Sequence, residues 1–199
     1  MQQIVFPEFS GLRCLMMPYI QGAPVSVPDE YAPYAEILRR TFIRDGEIGY
    51  LTIDESPVAA GSPHRGARSR CARALHTEAG ILRGVYKWGS APSWGGKPAV
   101  TLERDTRILL ASNISGTCAV WNRIHEDTSE DGDIGHVSDN YPYAEATVLA
   151  AGEVAEIGIL TPHESLPVNE NGRRQFLRIV GSGVHGREPY FTENPCFGS

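Results

Sequence analysis

The chain has 199 residues, and 41% of them are hydrophobic, enough for a sizeable core and too many for a disordered chain. A formal charge of −6 and a pI near 5.5 argue against a nucleic-acid partner, because such proteins usually carry a basic stripe. The basic cluster His64-Arg65-Gly66-Ala67-Arg68-Ser69-Arg70, with Arg73 close behind, reads as a solvated loop.

Cys14, Cys71, Cys118 and Cys196 show no CxxC spacing and read as reduced thiols. The opening MQQIVFPEFSGLRCLMMPYIQG has neither a basic n-region nor a long apolar run. The expectation is therefore a cytoplasmic protein without a membrane span, built as a single domain over 1–199.

In chain order, residues 1–28 mix short apolar groups with Pro and Gly and predict one edge strand. Pro28-Asp29-Glu30 has the composition of a helix start. Tyr31, Tyr34, Ile37, Leu38 and Phe42 continue it as a helical stripe up to Asp45-Gly46, suited to packing outside a sheet. From residue 47 to residue 183 the pattern is that of a β core, followed by a tail over 184–199. Strands are predicted at 48–54, 71–78, 84–88, 106–112, 117–124 and 147–161, and an exposed acidic loop at 125–139. The loop from Ser90 to Pro98 is a candidate active-site lid or, equally, a hydrophobic Ω-loop packed on Trp94. Many short strands and few helices fit a jelly-roll, although strand counting alone also allows a sandwich.

The chemistry-bearing stretch runs from Ala151 to Gly183, AGEVAEIGILTPHESLPVNENGRRQFLRIVGSG, and reads as two strands joined by the polar turn Asn169-Glu170-Asn171-Gly172. His163 falls at the end of the first strand. On the second, Arg174, Phe176 and Arg178 share one face by period-2 alternation, and Arg173 takes the other as a surface charge. Two cations and an aromatic ring beside a histidine suit a pocket that grips an anion next to a metal. Upstream, His76 and Glu78 share a strand face. Together with His163 they would form a two-histidine, one-carboxylate triad, which leaves positions open on octahedral iron(II).

Two rival spacings exist. His125 and Asp127 also make an HxD pair, but only 36 residues separate Asp127 from His163, which leaves little room for intervening strands. His136 and Asp139 fall on opposite strand faces. The bland alternatives are a buried, hydrogen-bonded His163 and structural ion pairs for Arg174 and Arg178.

The order HxE, long gap, distal His, then Arg resembles the iron(II)/2-oxoglutarate-dependent oxygenases. Arg174 and Arg178 follow His163 by 11 and 15 residues, a spacing similar to that of the taurine dioxygenase branch. The phrase AGEVAEIGILTPHESLPV looks like that family's seventh barrel strand and the turn after it.

The resemblance implies a mainly β fold with a flanking helix, a double-stranded β-helix of cupin-like jelly-roll type. It implies iron(II) on His76, Glu78 and His163, and 2-oxoglutarate held by Arg174 through a planar fork that matches a carboxylate. Arg178 would assist with cosubstrate or substrate, and Ser112 or Thr117 would add a hydroxyl beside the cosubstrate carboxylate. Arg83, Tyr86 and Trp88 are candidates for the substrate mouth, with packing and surface roles equally open to them. The implied reaction is hydroxylation of an unactivated C–H bond, with succinate and CO₂ as coproducts. A small polar molecule such as an amino acid is the first substrate expectation, and a peptide or protein side chain the second. A cupin-like metalloprotein without 2-oxoglutarate chemistry and a non-catalytic binding module are the alternatives.

Overall fold

A computed structural model of the chain describes residues 3–62, 73–78, 107–126, 132–181 and 191–197. Among these described residues, nine strands form two antiparallel sheets: β1 (Arg13–Ile20), β2 (Ile48–Val58), β3 (Leu75–His76), β4 (Arg107–Ser112), β5 (Cys118–Val120), β6 (Thr147–Val148), β7 (Ala155–Gly158), β8 (His163–Ser165) and β9 (Gly172–Val180). The first sheet has the order β1-β2-β9-β4-β7 and the second β3-β8-β5-β6.

The pairing decides between sandwich and jelly-roll. β5 pairs with β6, β4 with β7, β3 with β8 and β2 with β9, so the chain from β2 to β9 is one long antiparallel hairpin. Successive pairs alternate between the two sheets, and β4–β9 and β5–β8 contacts join the turns. A hairpin wound this way is a double-stranded β-helix, the expected cupin-like jelly-roll. β1 lies outside the eight strands and extends the first sheet by pairing with β2.

Alternation along β2, β4 and β9 sends residues to two different cores. Leu51, Ile53, Leu109, Ala111, Leu177 and Ile179 bury on the outer side of the first sheet, where Tyr31, Tyr34, Ile37 and Leu38 cover them. Ile108, Leu110 and Val180 face inward, with Cys118 and Val120 of the second sheet in the same cluster. With both faces covered, these strands are buried along most of their length, polar Thr52, Glu55, Arg174, Gln175 and Arg178 included. β1 serves both sides through a bulge between Cys14 and Met17, at which Met16 takes a φ of 48°. The extra residue sends Leu15 and Met16 into the inner cluster, while Cys14, Met17 and Tyr19 stay outside.

Three local expectations are corrected. The stripe at 28–46 does pack on the sheet, but as a 3₁₀ segment Asp29–Tyr34 followed by a single α-helical turn, Ala35–Leu38. Pro33 lies inside it and has no N–H to donate, which disfavours an α-helix running through that point. The stretch 151–163 is not one strand. β7 ends at Gly158, and a turn closed by Thr161 N–H to the Gly158 carbonyl (3.1 Å) carries the chain to the other sheet, so His163 opens β8. Lastly, 125–139 is not simply exposed loop. Asp133 bridges to His76, and Ile134 is fully buried with Leu75, Ala119 and Trp121 behind the second sheet. Among the described residues no helix is long and apolar enough to cross a membrane.

Candidate metal centre

β3 and β8 are short, yet their register places His76 directly opposite His163. A cross-strand pair of this kind holds both side chains on one face. The rings lie 4.0 Å apart between centroids, at 59°. Glu78 follows two residues beyond the end of β3, so the expected strand over 71–78 is shorter than predicted. Its backbone N–H donates to the Ile159 carbonyl at 2.8 Å, and Thr77 N–H donates to the Gly132 carbonyl at 2.9 Å. These bonds hold the segment in place of a longer ladder.

The ligand-type atoms of His76, Glu78 and His163 all lie within 4.8 Å of one another. Nδ1 of His76 is 3.0 Å from the Ala74 carbonyl, and Nδ1 of His163 is 3.0 Å from the Thr161 carbonyl. A carbonyl only accepts, so each Nδ1 carries a hydrogen and Nε2 is the ring atom left to serve as a ligand. Both Nε2 atoms lie near Glu78 Oε1, at 4.0 Å from His76 and 3.5 Å from His163. Glu78 and His163 are almost completely buried. Two imidazole nitrogens and a carboxylate oxygen meeting in a buried space make a donor set that fits a divalent cation.

The strand carrying His163 is braced from behind. Arg73 Nη2 pairs with Glu164 Oε2 at 2.7 Å, and Tyr143 Oη donates to Glu164 Oε1 at 3.1 Å. The Arg73 guanidinium lies 4.2 Å from the Tyr143 ring centroid. Arg73 is thus a packed ion-pair member and not part of a solvated basic loop.

A cavity of about 200 Å³ opens beside the triad, and Arg174, Phe176 and Arg178 line it from β9 as the alternation predicts. Arg174 is 1% exposed. It donates from Nε to Ser112 Oγ (3.2 Å), from Nη1 to Ser165 Oγ (3.0 Å) and from Nη2 to the Thr117 carbonyl (2.9 Å). All three acceptors are neutral, and it makes no ion pair among the described residues. Burial pushes its guanidinium down to about 10, against smaller opposing contributions from Cys118 and Asp54, and it stays charged at neutral pH. Arg178 behaves differently: its Nη1 donates to Glu78 Oε1 at 2.9 Å. Arg173 is exposed, with its guanidinium over the Phe9 ring at 5.4 Å.

Ser112 and Thr117 are buried against Arg174 and are not among the residues lining the cavity, so they hold the cation and do not face the space beside it. Sequence reasoning missed Ser165 and Asp54 as cavity residues. Period 2 carries the signal for both: Ser165 is two residues beyond His163, and Asp54 alternates with Leu51 and Ile53 on β2. Of the rival spacings, His125 Nδ1 lies 2.6 Å from Tyr141 Oη, away from the triad, and His136 is exposed. Asp127, the predicted mouth residues Arg83, Tyr86 and Trp88, and the loop from Ser90 to Pro98 lie outside the described residues.

No protein-family model and no curated protein matches this chain. Among solved structures, it is similar to EvdO2 from Micromonospora carbonacea var. aurantiaca complexed with 2-oxoglutarate, at 16% identity and a TM-score of 0.37. That match covers 71% of this chain, which spans 55% of the neighbour's length. A second EvdO2 structure aligns at 15% identity and a TM-score of 0.41, covering 92% of this chain and 72% of the other. Scores this low carry no argument here, and the fold assignment rests on the strand pairing.

Proposed function

We propose that this protein is an iron(II)/2-oxoglutarate-dependent oxygenase that hydroxylates a C–H bond of a small polar molecule such as an amino acid. One observation carries the reading. A buried arginine whose hydrogen bonds all go to neutral oxygens shares a cavity with a His-Glu-His group whose ligand atoms converge.

A guanidinium has five N–H donors. Three of those on Arg174 are used, which leaves one on each Nη. Those two N–H groups would serve the oxygens of a carboxylate, and the anion would supply the missing counter-charge. His76, Glu78 and His163 would hold the iron, their orientation fixed by the two Nδ1–carbonyl bonds. Bound iron and 2-oxoglutarate would supply the oxidising power, giving succinate and CO₂ as coproducts. Leu15, Leu110 and Phe176 form apolar parts of the cavity wall and limit the water that reaches the reacting groups.

Anaerobic titration with iron(II) and then 2-oxoglutarate tests this. The expected result is a visible charge-transfer band that disappears in His163→Ala and weakens in Arg174→Ala. Bound iron without a band would favour a cupin-like metalloprotein that has no use for Arg174, and no succinate would then form. Absence of metal binding would favour a non-catalytic binding module.

A further inference from the structure

We infer that Arg178 is a positioning residue for Glu78, which it orients for metal binding. The inference rests on the metal-centre reading above.

Arg178 sits on β9 at the middle of the first sheet, paired in register with Thr52 on one side and Leu110 on the other. Its backbone is therefore among the most firmly fixed near the cavity. Its side chain is 7% exposed and that of Glu78 2%, and the bond from Nη1 to Glu78 Oε1 is 2.9 Å. Oε1 is the same oxygen that faces both Nε2 atoms. A carboxylate oxygen has two lone pairs, so one can accept from Arg178 while the other stays turned to the histidines. The ion pair thus orients the ligand oxygen without consuming the lone pair that a metal needs.

The need for such a device follows from the choice of acid. Glutamate has one more rotatable bond than aspartate, and Glu78 lies past the end of a two-residue strand. Left alone, its carboxylate would have several rotamers to choose from. Tied to a central strand of the opposite sheet, it has fewer. The pair also gives the buried Glu78 carboxylate its counter-charge, which removing Arg178 would take away.

The test is binding of Co(II) or Mn(II) to the metal-free protein, by calorimetry and by the Co(II) d–d spectrum, with no cosubstrate present. Wild type, R178Q, R178K and H163A are compared. Removing an outer partner of a metal ligand generally weakens affinity by about 10- to 100-fold. The expected outcome is a loss of that size in R178Q with a changed d–d band, and an intermediate loss in R178K, which keeps the charge but not the fork. Unchanged or tighter metal binding in R178Q overturns the inference. If R178Q does not fold, R178K decides, and wild-type affinity in that variant overturns it equally. Failure of the wild type to bind, or binding that survives in H163A, refutes the metal-centre reading itself, so the two failures are distinguishable.

Discussion

Arg174 on β9 donates through Nη1 to Ser165 Oγ on β8, 3.0 Å away, so a buried cation of the first sheet is tied to the strand of the second that carries His163. This bond ties Arg174 to the face of β8 that carries His163. Its strength depends on what else holds the guanidinium, and that can be measured.

Replacing Arg174 by methionine separates binding from folding. Methionine matches the volume and relieves the burial of an unpaired cation, but it leaves Ser112 Oγ, Ser165 Oγ and the Thr117 carbonyl without their donor, a cost of about 1–3 kcal/mol. The expected melting temperature of R174M is therefore lower than wild type by about 2–12 °C, with the fold retained. Losing a buried charge-assisted pair typically costs about 2–5 kcal/mol, so 2-oxoglutarate should bind at least ~30-fold more weakly. Thermal melts and cosubstrate titration check the two halves. A collapse in stability with unchanged cosubstrate affinity would make Arg174 a purely structural residue.

Ser112→Ala removes the acceptor for Arg174 Nε and leaves Thr117 Oγ1 without its 3.0 Å neighbour. An unsatisfied buried donor costs about 1–3 kcal/mol, so stability should fall by that order. Cosubstrate affinity should fall as well, because the guanidinium is less well held. Co(II) affinity should stay at the wild-type value, since Ser112 touches none of His76, Glu78 or His163. Loss of Co(II) binding in this variant would mean that the two halves of the cavity are coupled more tightly than their hydrogen bonds indicate.

How far the site was legible from sequence follows from periodicity. Arg174, Phe176 and Arg178 could be assigned to one face because alternation survives along a nine-residue strand. His76 and Glu78 lie close to His163 although only His76 of the pair is within a strand, so period-2 alternation does not by itself account for the place of Glu78. Periodicity cannot show where a strand changes sheet, and so 151–163 read as one strand when Gly158 to His163 turns a corner. Nor does it give the direction of a hydroxyl: Ser112 Oγ accepts from Arg174, whereas Thr117 offers the arginine its carbonyl and turns its hydroxyl to Ser112 Oγ and the Ile114 carbonyl. The partner of Arg178 was out of reach in a different way, since Glu78 lies 100 residues upstream and only the closed barrel brings them together. The jelly-roll itself required the pairing of β2 with β9, the most distant of all the strand pairs within the hairpin.

Gly152 precedes β7 with a φ of +73°, and a Cβ added there would lie 2.4 Å from the Ile4 carbonyl oxygen. Its own N–H donates to the Ser112 carbonyl at 2.8 Å, so the position cannot shift freely. Gly152→Ala should therefore cost more than the ~1–2 kcal/mol of left-handed backbone strain alone. Gly46 is the control, with a φ of +85° and nothing within 4 Å of its added Cβ. Urea melts should show a clearly larger loss for Gly152→Ala than for Gly46→Ala. Equal losses would mean that the N-terminal segment yields at Ile4.

Glu55 gives the pH dependence. One carboxylate oxygen accepts the backbone amides of Ser10 (2.7 Å), Gly11 (2.7 Å) and Leu12 (3.1 Å). The other accepts Tyr34 Oη at 2.6 Å and Gln175 Nε2 at 3.0 Å. Burial pushes its acidity toward higher pH, but these hydrogen bonds outweigh burial and hold the carboxyl at about 2 against an ordinary 4.5. A depressed carboxylate stabilises the fold fully above pH 4.5, and that contribution is lost as pH falls from 4.5 toward 2. The whole is worth ~3 kcal/mol, and about 2 kcal/mol of it should be gone by pH 3. Urea melts of wild type and Glu55→Gln at pH 7 and pH 3 should show the variant less stable at pH 7, with the gap narrowing by ~2 kcal/mol at pH 3. Parallel pH dependences in the two proteins would rule Glu55 out as the source. Because these bonds lie on the outer side of the first sheet, Glu55→Gln at pH 7 should still bind Co(II) as wild type does, provided the fold is intact.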